Sequence, residues 1–356
     1  MTRVLMTADA VGGVWTYCIE LTRVLAVRGL DVVVAVLGPA PTDEQREELG
    51  MSGALECVDL GGDLEWADDP WAAIDASSSG LLDLAARHRA DVVHLNGYTH
   101  AALPFGVPTV VVAHSDVASW WHAVRGCDPP PEWDEYRRRV AAGLLAATAI
   151  VAPTRAVLAD LHRAYGVDRG QVIPNARADG WLRPSPKEPV VLGAGRMWDA
   201  AKNMVALDHA AAELDWPVVL AGDVGAPPSC CRHAVQLGPV PFDCLAAWLG
   251  RAAVFAAPAR YEPFGLAALE AALAGCALVL GDIPSLREVW GDAAVFVDPA
   301  DPPALARVLR ELLQEPAECS QWGARARARA RRYGPRPMGR SYTSLYESLL
   351  HRGAGS

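Results

Sequence analysis

Short, unbroken apolar runs recur along this chain with helical stretches between them. Arg3 to Thr7, Val32 to Leu37, Asp91 to Leu95, Thr109 to Ala113 and Thr148 to Ala152 are of this kind. A strand that is apolar at every position, not at every second one, has both faces covered, which is the signature of a parallel sheet between helices. Strands joined by helical crossovers predict a doubly wound α/β domain. The segment from Pro174 to Pro189 holds four prolines and several charges and reads as a linker. Beyond it the alternation restarts, with Val190 to Ala194, Val218 to Ala221, Val254 to Ala257, Ala277 to Leu280 and Ala294 to Val297. Helices are expected from about Val14 to Arg28, Pro302 to Gln314, Pro316 to Arg332 and Met338 to Leu350. There is no short solenoid repeat, but the second half echoes the first as a second doubly wound unit. Ligands of open α/β sheets bind beyond the carboxyl ends of the strands, so two such domains are expected to face each other across a cleft.

Composition narrows the class without changing the architecture. With 356 residues, 51% of them hydrophobic, the chain has ample core for two domains. A net charge of -10 argues against a nucleic-acid partner. The eight cysteines form no Cys-x-x-Cys and no zinc-like group with histidine, so they read as scattered reduced thiols of a cytoplasmic protein. No secretory leader and no apolar run of membrane-spanning length is seen, so a membrane partner is not expected.

The densest chemistry is Glu262-Pro-Phe-Gly-Leu-Ala-Ala-Leu-Glu270. Pro263 keeps Glu262 out of helical geometry, and Leu266 to Leu273 is otherwise Ala and Leu around one charge, Glu270. A carboxylate on an apolar helix is costly unless paired. A ligand bringing hydroxyls to Glu270 and an anion to the amides of Gly265 and Leu266 resolves the cost; a nucleotide sugar brings both. The plain alternative is one capping acid and one salt-bridged acid on a buried helix. Gly193-Ala-Gly195-Arg196 with Lys202 places two cations after a strand, suited to a diphosphate. The chain has only two lysines, Lys187 and Lys202, among 32 basic residues, so lysine at 202 is itself a signal. Gly12 and Gly13 open the first helix, where amides meet anions or a tight turn simply forms. His114 follows the Thr109 to Ala113 run; His94 and His100 are rival histidines, and a lone histidine is more often structural. Trp15, Trp66, Trp71, Tyr98, Trp120, Trp121 and Trp133 enrich what read as first-domain loops and suggest an acceptor pocket, with Asp9 and Asp116 beside it. The basic run Arg137 to Arg139 reads as a solvated helix face.

These segments together resemble a retaining glycosyltransferase of family 4, the group 1 glycosyl transferases of GT-B fold. The matching stretches are Val11-Gly-Gly-Val14, Val111-Val-Ala-His114, Pro153-Thr-Arg155 and Val172-Ile-Pro-Asn175. They continue with Gly193-Ala-Gly-Arg196 and Lys202, Tyr261 through Glu270, Gly281 to Val289 and Val297-Asp-Pro299. Ala176 and Asn203 stand where the family often has glycine, and the stretch from Arg177 to Pro189 is idiosyncratic. The resemblance implies a first Rossmann-like domain over 1–176, a linker over 177–188 and a second Rossmann-like domain over 189–335. A terminal helix over 336–356 would return to the first domain. It implies that Glu270 holds the ribose, and that Arg196 and Lys202 neutralise the diphosphate with the amides of Gly12, Gly13, Gly265 and Leu266. Phe264 belongs to the same donor segment, and Gly238 to Asp243 would read the base. His114 and Glu262 would contact the transferred sugar as catalytic residues. Asp9, Tyr98, Asp116, Trp120 and Trp121 are the acceptor candidates.

The chemistry is consistent with these roles. Breaking a glycosyl-diphosphate bond builds negative charge on the leaving oxygen and oxocarbenium character on the sugar, and preorganised cations and amides stabilise that charge. No Asp-x-Asp triplet occurs, so the expectation is metal-independent, cofactor-free transfer from a nucleoside-diphosphate sugar. The resemblance implies UDP as the first nucleotide, with GDP behind it. The acceptor is expected to be a soluble small molecule. Front-face attack, with the diphosphate taking the acceptor proton, is the course implied by the resemblance, and Glu262 then orients and is not required as a nucleophile. A sugar phosphorylase, a nucleotide-sugar epimerase and an inactive nucleotide-sugar-binding partner subunit are the alternatives. Oligomeric state is not legible.

Overall fold

A computed structural model describes residues 1–182, 185–225 and 231–353. Residues 183 and 184 of the expected linker, Cys230 and the last three residues of the expected terminal segment lie outside the described residues. The chain divides into two compact units. One comprises residues 1–122, 127–176 and 335–356, the other 123–126 and 177–334.

The first unit is built on a seven-stranded sheet in the order β3-β2-β1-β4-β5-β6-β7. Its strands are β1 (Arg3–Asp9), β2 (Asp31–Leu37), β3 (Glu56–Gly61), β4 (Val92–Leu95), β5 (Thr109–Val112), β6 (Ala149–Ala152) and β7 (Gln171–Val172). All paired neighbours run parallel. Alternation along β1 sends Val4, Met6 and Ala8 into one apolar cluster and Leu5 into the other. Both faces are therefore buried, which is why Val4, Leu5 and Met6 are apolar in succession. One face is covered by α1 (Gly13–Val27) and by α13 (Pro335–Gly353), whose Tyr342 and Tyr346 are fully buried. The opposite face is covered in part by α3 (Trp71–Arg87) and α5 (Asp134–Ala146).

The second unit repeats the plan with six parallel strands in the order β10-β9-β8-β11-β12-β13. These are β8 (Glu188–Ala194), β9 (Val218–Ala221), β10 (Val235–Gly238), β11 (Ala252–Ala257), β12 (Ala277–Gly281) and β13 (Val295–Val297). The helices α9 (Leu266–Leu273) and α12 (Pro316–Ala330) cover one face, and α7 (Met204–Ala211) with α11 (Pro302–Gln314) the other. Among the described residues no helix is long and apolar enough to cross a membrane.

Every apolar run singled out in the sequence is a strand. Three strands were not singled out: β3, β7 and β10. Each lies at a sheet edge or is only two residues long. β3 alternates exposed and half-buried positions, and Val235 of β10 is largely exposed, so neither has the continuous apolar run of a central strand. Trp120 and Trp121 sit on α4 (Val117–Arg125), Trp71 opens α3 and Trp15 is buried in α1, so these four are helical and not loop residues.

Candidate functional site

In each sheet the strand order reverses once, between β1 and β4 in the first unit and between β8 and β11 in the second. Such a switch point leaves neighbouring loops diverging to opposite faces and opens a crevice at the carboxyl ends. The chemistry-bearing residues of each unit gather there.

In the second unit, the loop after β8 carries Arg196 and Lys202, and the loop after β11 carries Glu262. Lys202 Nζ lies 2.7 Å from Glu262 Oε2, so the pair ties the two loops of the switch point together. The other carboxylate oxygen, Oε1, accepts the Gly265 amide at 3.1 Å, and Ser285 Oγ donates to the Glu262 carbonyl at 2.6 Å. Gly265 takes φ 87°, ψ 64° as it caps α9, a left-handed conformation that costs a side-chain-bearing residue energy. A cavity of about 20 Å³, room for one water, lies against Ala194, Lys202, Ala259, Glu262 and Gly265. Arg196 is partly exposed, with one terminal nitrogen 2.9 Å from Asp199 Oδ2 and its guanidinium over the Trp198 ring. Asn203 adopts φ 55° and donates from Nδ2 to the carbonyls of Pro258 and Pro299, both at 2.9 Å. Asparagine is one of the few residues tolerated in that conformation, which accounts for its standing in place of glycine.

Glu270 is buried on α9, and its carboxylate meets the Arg177 guanidinium, Nε to Oε1 2.8 Å. Arg177 is itself buried and lies 4.5 Å from the Phe242 ring centroid and 5.7 Å from that of Trp181. So the two acids of the Glu-x7-Glu stretch each have protein partners: Glu262 pairs with Lys202 and accepts the Gly265 amide, and Glu270 is salt-bridged to Arg177. Arg177 is the residue that reading the sequence missed. Its only signal was that it begins the idiosyncratic stretch. Phe242, in the segment expected to read the base, joins the same cluster. Phe264 is buried and packs edge-on to Tyr333 at 5.4 Å, so its part is to seat the loop.

In the first unit, α1 starts at the end of β1. Gly12 is its N-cap, no side chain caps the helix and no acid lies in its first turn. Gly12 and Gly13 are both exposed. Asp9 Oδ1 accepts the Val11 amide at 2.8 Å and shapes this turn. His114, just past β5, is partly buried. Its Nε2 lies 2.8 Å from Oδ1 of Asn96, which follows β4, and its ring meets Tyr17 edge-on at 4.5 Å. Burial holds its pKa down to about 3. His94 and His100 are core residues. His94 bonds Tyr346 Oη through Nδ1 at 2.7 Å and Tyr17 Oη through Nε2 at 3.2 Å. Its pKa is also pushed to about 3, first by burial and then by His114. His100 bonds Ser77 Oγ.

The acceptor candidates divide. Asp116 is buried, and its carboxylate accepts the Ser119 amide and hydroxyl, both at 2.7 Å, the Tyr165 hydroxyl at 2.5 Å and the Tyr136 hydroxyl at 3.4 Å. It anchors α4. Tyr98 is buried and donates to the Ser115 carbonyl at 2.9 Å. Trp120 and Trp121 are half-buried and pack edge-on at 5.8 Å. Among the described residues no group of three or more His, Cys, Asp or Glu is placed to hold a metal ion.

Comparison with known proteins gives a consistent result. The family model described as Glycosyltransferase Family 4 matches residues 11–177, and that described as Glycosyl transferases group 1 matches residues 188–315. The D-inositol 3-phosphate glycosyltransferase of Xylanimonas cellulosilytica is 31% identical over 92% of this chain and 89% of its own. That of Frankia alni is 29% identical over 97% and 96%. Among solved structures, sucrose-phosphate synthase from Thermosynechococcus elongatus superposes with a TM-score of 0.83 at 18% identity, covering 99% of this chain and 100% of its own. Anabaena Alr3699/HepE in complex with UDP and glucose gives 0.79 at 15% identity over 98% and 100%. At these identities the superpositions establish a shared fold, that of GT-B glycosyltransferases.

Proposed function

Because the chain belongs to glycosyltransferase family 4 and is a glycosyltransferase, we propose that it transfers a sugar with retention, without a metal, from a UDP-sugar to a small soluble acceptor in the cytoplasm. The observation that carries this reading is the Lys202–Glu262 pair spanning the β8 and β11 loops, with Arg196 on the same loop as Lys202.

An ammonium has three donors, so Lys202 can keep Glu262 and also hold a diphosphate oxygen. Arg196 likewise has donors beyond the one given to Asp199. As the bond from the anomeric carbon to the diphosphate oxygen breaks, these cations stabilise the charge developing on that oxygen. The acceptor hydroxyl oxygen bonds to the anomeric carbon on the same face, and its proton passes to the departing diphosphate. Glu262, with both oxygens engaged, orients Lys202 and the helix start, and is assigned to the reacting sugar, whose positive character a carboxylate favours. The uncapped start of α1 at Gly12 and Gly13 supplies amides for an anion. Glu270, fixed by Arg177, is assigned to the ribose hydroxyls.

The test is thermal stabilisation by UDP, GDP, ADP and dTDP with and without chelator, followed by turnover with UDP-sugars and with hydroxylated and phosphorylated polyols. UDP at a hundredfold its dissociation constant should add about 2.7 kcal/mol of stability, unchanged by chelator. Stabilisation that chelator abolishes would overturn metal independence. No stabilisation by any nucleotide would overturn the donor assignment.

A further inference from the structure

The side chains around His114 settle a question that the reaction leaves open: which ring nitrogen carries its proton. Asn96 is held on three sides. Its backbone amide donates to Thr7 Oγ1 at 2.9 Å, and its Nδ2 donates to the Thr7 carbonyl at 2.6 Å and to Cys18 Sγ at 3.1 Å. Turning the amide over would set its carbonyl oxygen against the Thr7 carbonyl oxygen, two acceptors with no proton between them. The side-chain oxygen therefore faces His114, and it accepts. At 2.8 Å the Nε2 of His114 must be the donor. A neutral imidazole that donates from Nε2 has a bare lone pair on Nδ1.

We propose that Asn96 is a positioning residue that locks His114 in the Nε2–H tautomer and so presents the Nδ1 lone pair to a hydroxyl of the sugar substrate. This rests on the assignment of His114 to the transferred sugar. His94 cannot serve in its place, since both of its ring nitrogens are taken by buried tyrosine hydroxyls. Depression of the His114 pKa by burial agrees with a ring that stays neutral. The proton is thus permanently assigned, and His114 accepts a hydrogen bond without acting as a general acid.

Histidine-selective 15N labelling with long-range proton–nitrogen correlation tests this directly, with His114→Gln to assign the signals. From pH 5 to 8 the wild-type His114 should show a protonated Nε2, a bare Nδ1 and no titration. A proton on Nδ1, or an imidazolium in that range, overturns the proposal with no substitution at Asn96 needed. Asn96→Asp places a carboxylate against Nε2–H, which should raise the His114 pKa by about 1 to 3 units. Protonated His114 has no lone pair to offer, so kcat should fall about tenfold at the acid end and recover as pH rises, with the nucleotide dissociation constant unchanged. A wild-type pH profile in a folded Asn96→Asp variant overturns the proposal. If the wild-type spectrum is as expected but His114→Ala keeps full turnover, the assignment of His114 to the sugar has failed, and the role of Asn96 in transfer falls with it. The unchanged tautomer distinguishes that failure from the first.

Discussion

Two ion pairs at the second unit's site have opposite characters. Lys202 and Glu262 are each about one-fifth exposed, so the pair is partly solvated and its ammonium keeps access to a ligand. Lys202→Ala should lower turnover by about 10² to 10³, comparable to removing an oxyanion donor, as read from steady-state kcat with UDP-sugar. Glu262→Gln, which keeps an acceptor for the Gly265 amide, should lose turnover while leaving the melting temperature nearly unchanged. Arg177 and Glu270 are buried, and removing one partner strands the other charge. Arg177→Met should cost about 3 to 5 kcal/mol in urea denaturation. The double variant with Glu270→Leu should recover much of that stability and still fail to bind UDP. Recovery of both stability and UDP binding would remove Glu270 from the donor site. The sequence displayed Glu270 as a charge in need of a partner, but not the partner, because Arg177 lies 93 positions before it and comes near only once the sheet has formed.

At the scale of elements, the strand-end loops are set by close backbone approach. A Cβ on Gly222, at the end of β9, would sit 1.9 Å from the Gly195 carbonyl oxygen, and Gly222 has φ 138°. Gly222→Ala must therefore push the loop carrying Gly195 and Arg196 away. The expected outcome is a folded protein with weakened UDP binding by calorimetry; unchanged binding would show that this loop does not touch the donor. The last helix is fastened by a buried chain in which Tyr346 and Tyr17 flank His94 and the Tyr17 hydroxyl donates to Tyr342 at 2.6 Å. Tyr17→Phe deletes the middle of this chain and should destabilise by about 1 to 3 kcal/mol. The helices themselves were legible: Pro302–Gln314 appears with the bounds that its proline start and apolar periodicity suggest. Three of the four edge strands, β3, β7 and β10, were not, because an edge strand need not be apolar on both faces.

For the whole molecule, the buried histidines set the response to acid. His94 and His114 have folded pKa values of about 3, well below the ordinary 6.5, and burial lowers that of His100 as well. Below pH 6.5 the unfolded chain binds protons that the folded chain refuses, so stability is full above that value and is lost as pH falls toward 3. His94 and His114 each contribute about 1.4 kcal/mol of loss per pH unit in that window. From pH 6.5 to 5, His94 alone should remove about 2 kcal/mol, and His94→Gln should flatten the dependence measured by denaturation. A wild-type stability curve level from pH 7 to 5 would contradict this. By itself the sequence determined the two parallel sheets, because a strand buried on both faces must be apolar at every position. It also determined which loops carry charge, because lysine, arginine and glutamate beside a strand end stand out against an apolar background. Only the tertiary structure decided how those charges pair and which partners hold each histidine. Pairing depends on strands far apart in sequence lying side by side, and His94, His100 and His114 differ not in local sequence pattern but in what the folded sheet packs around them.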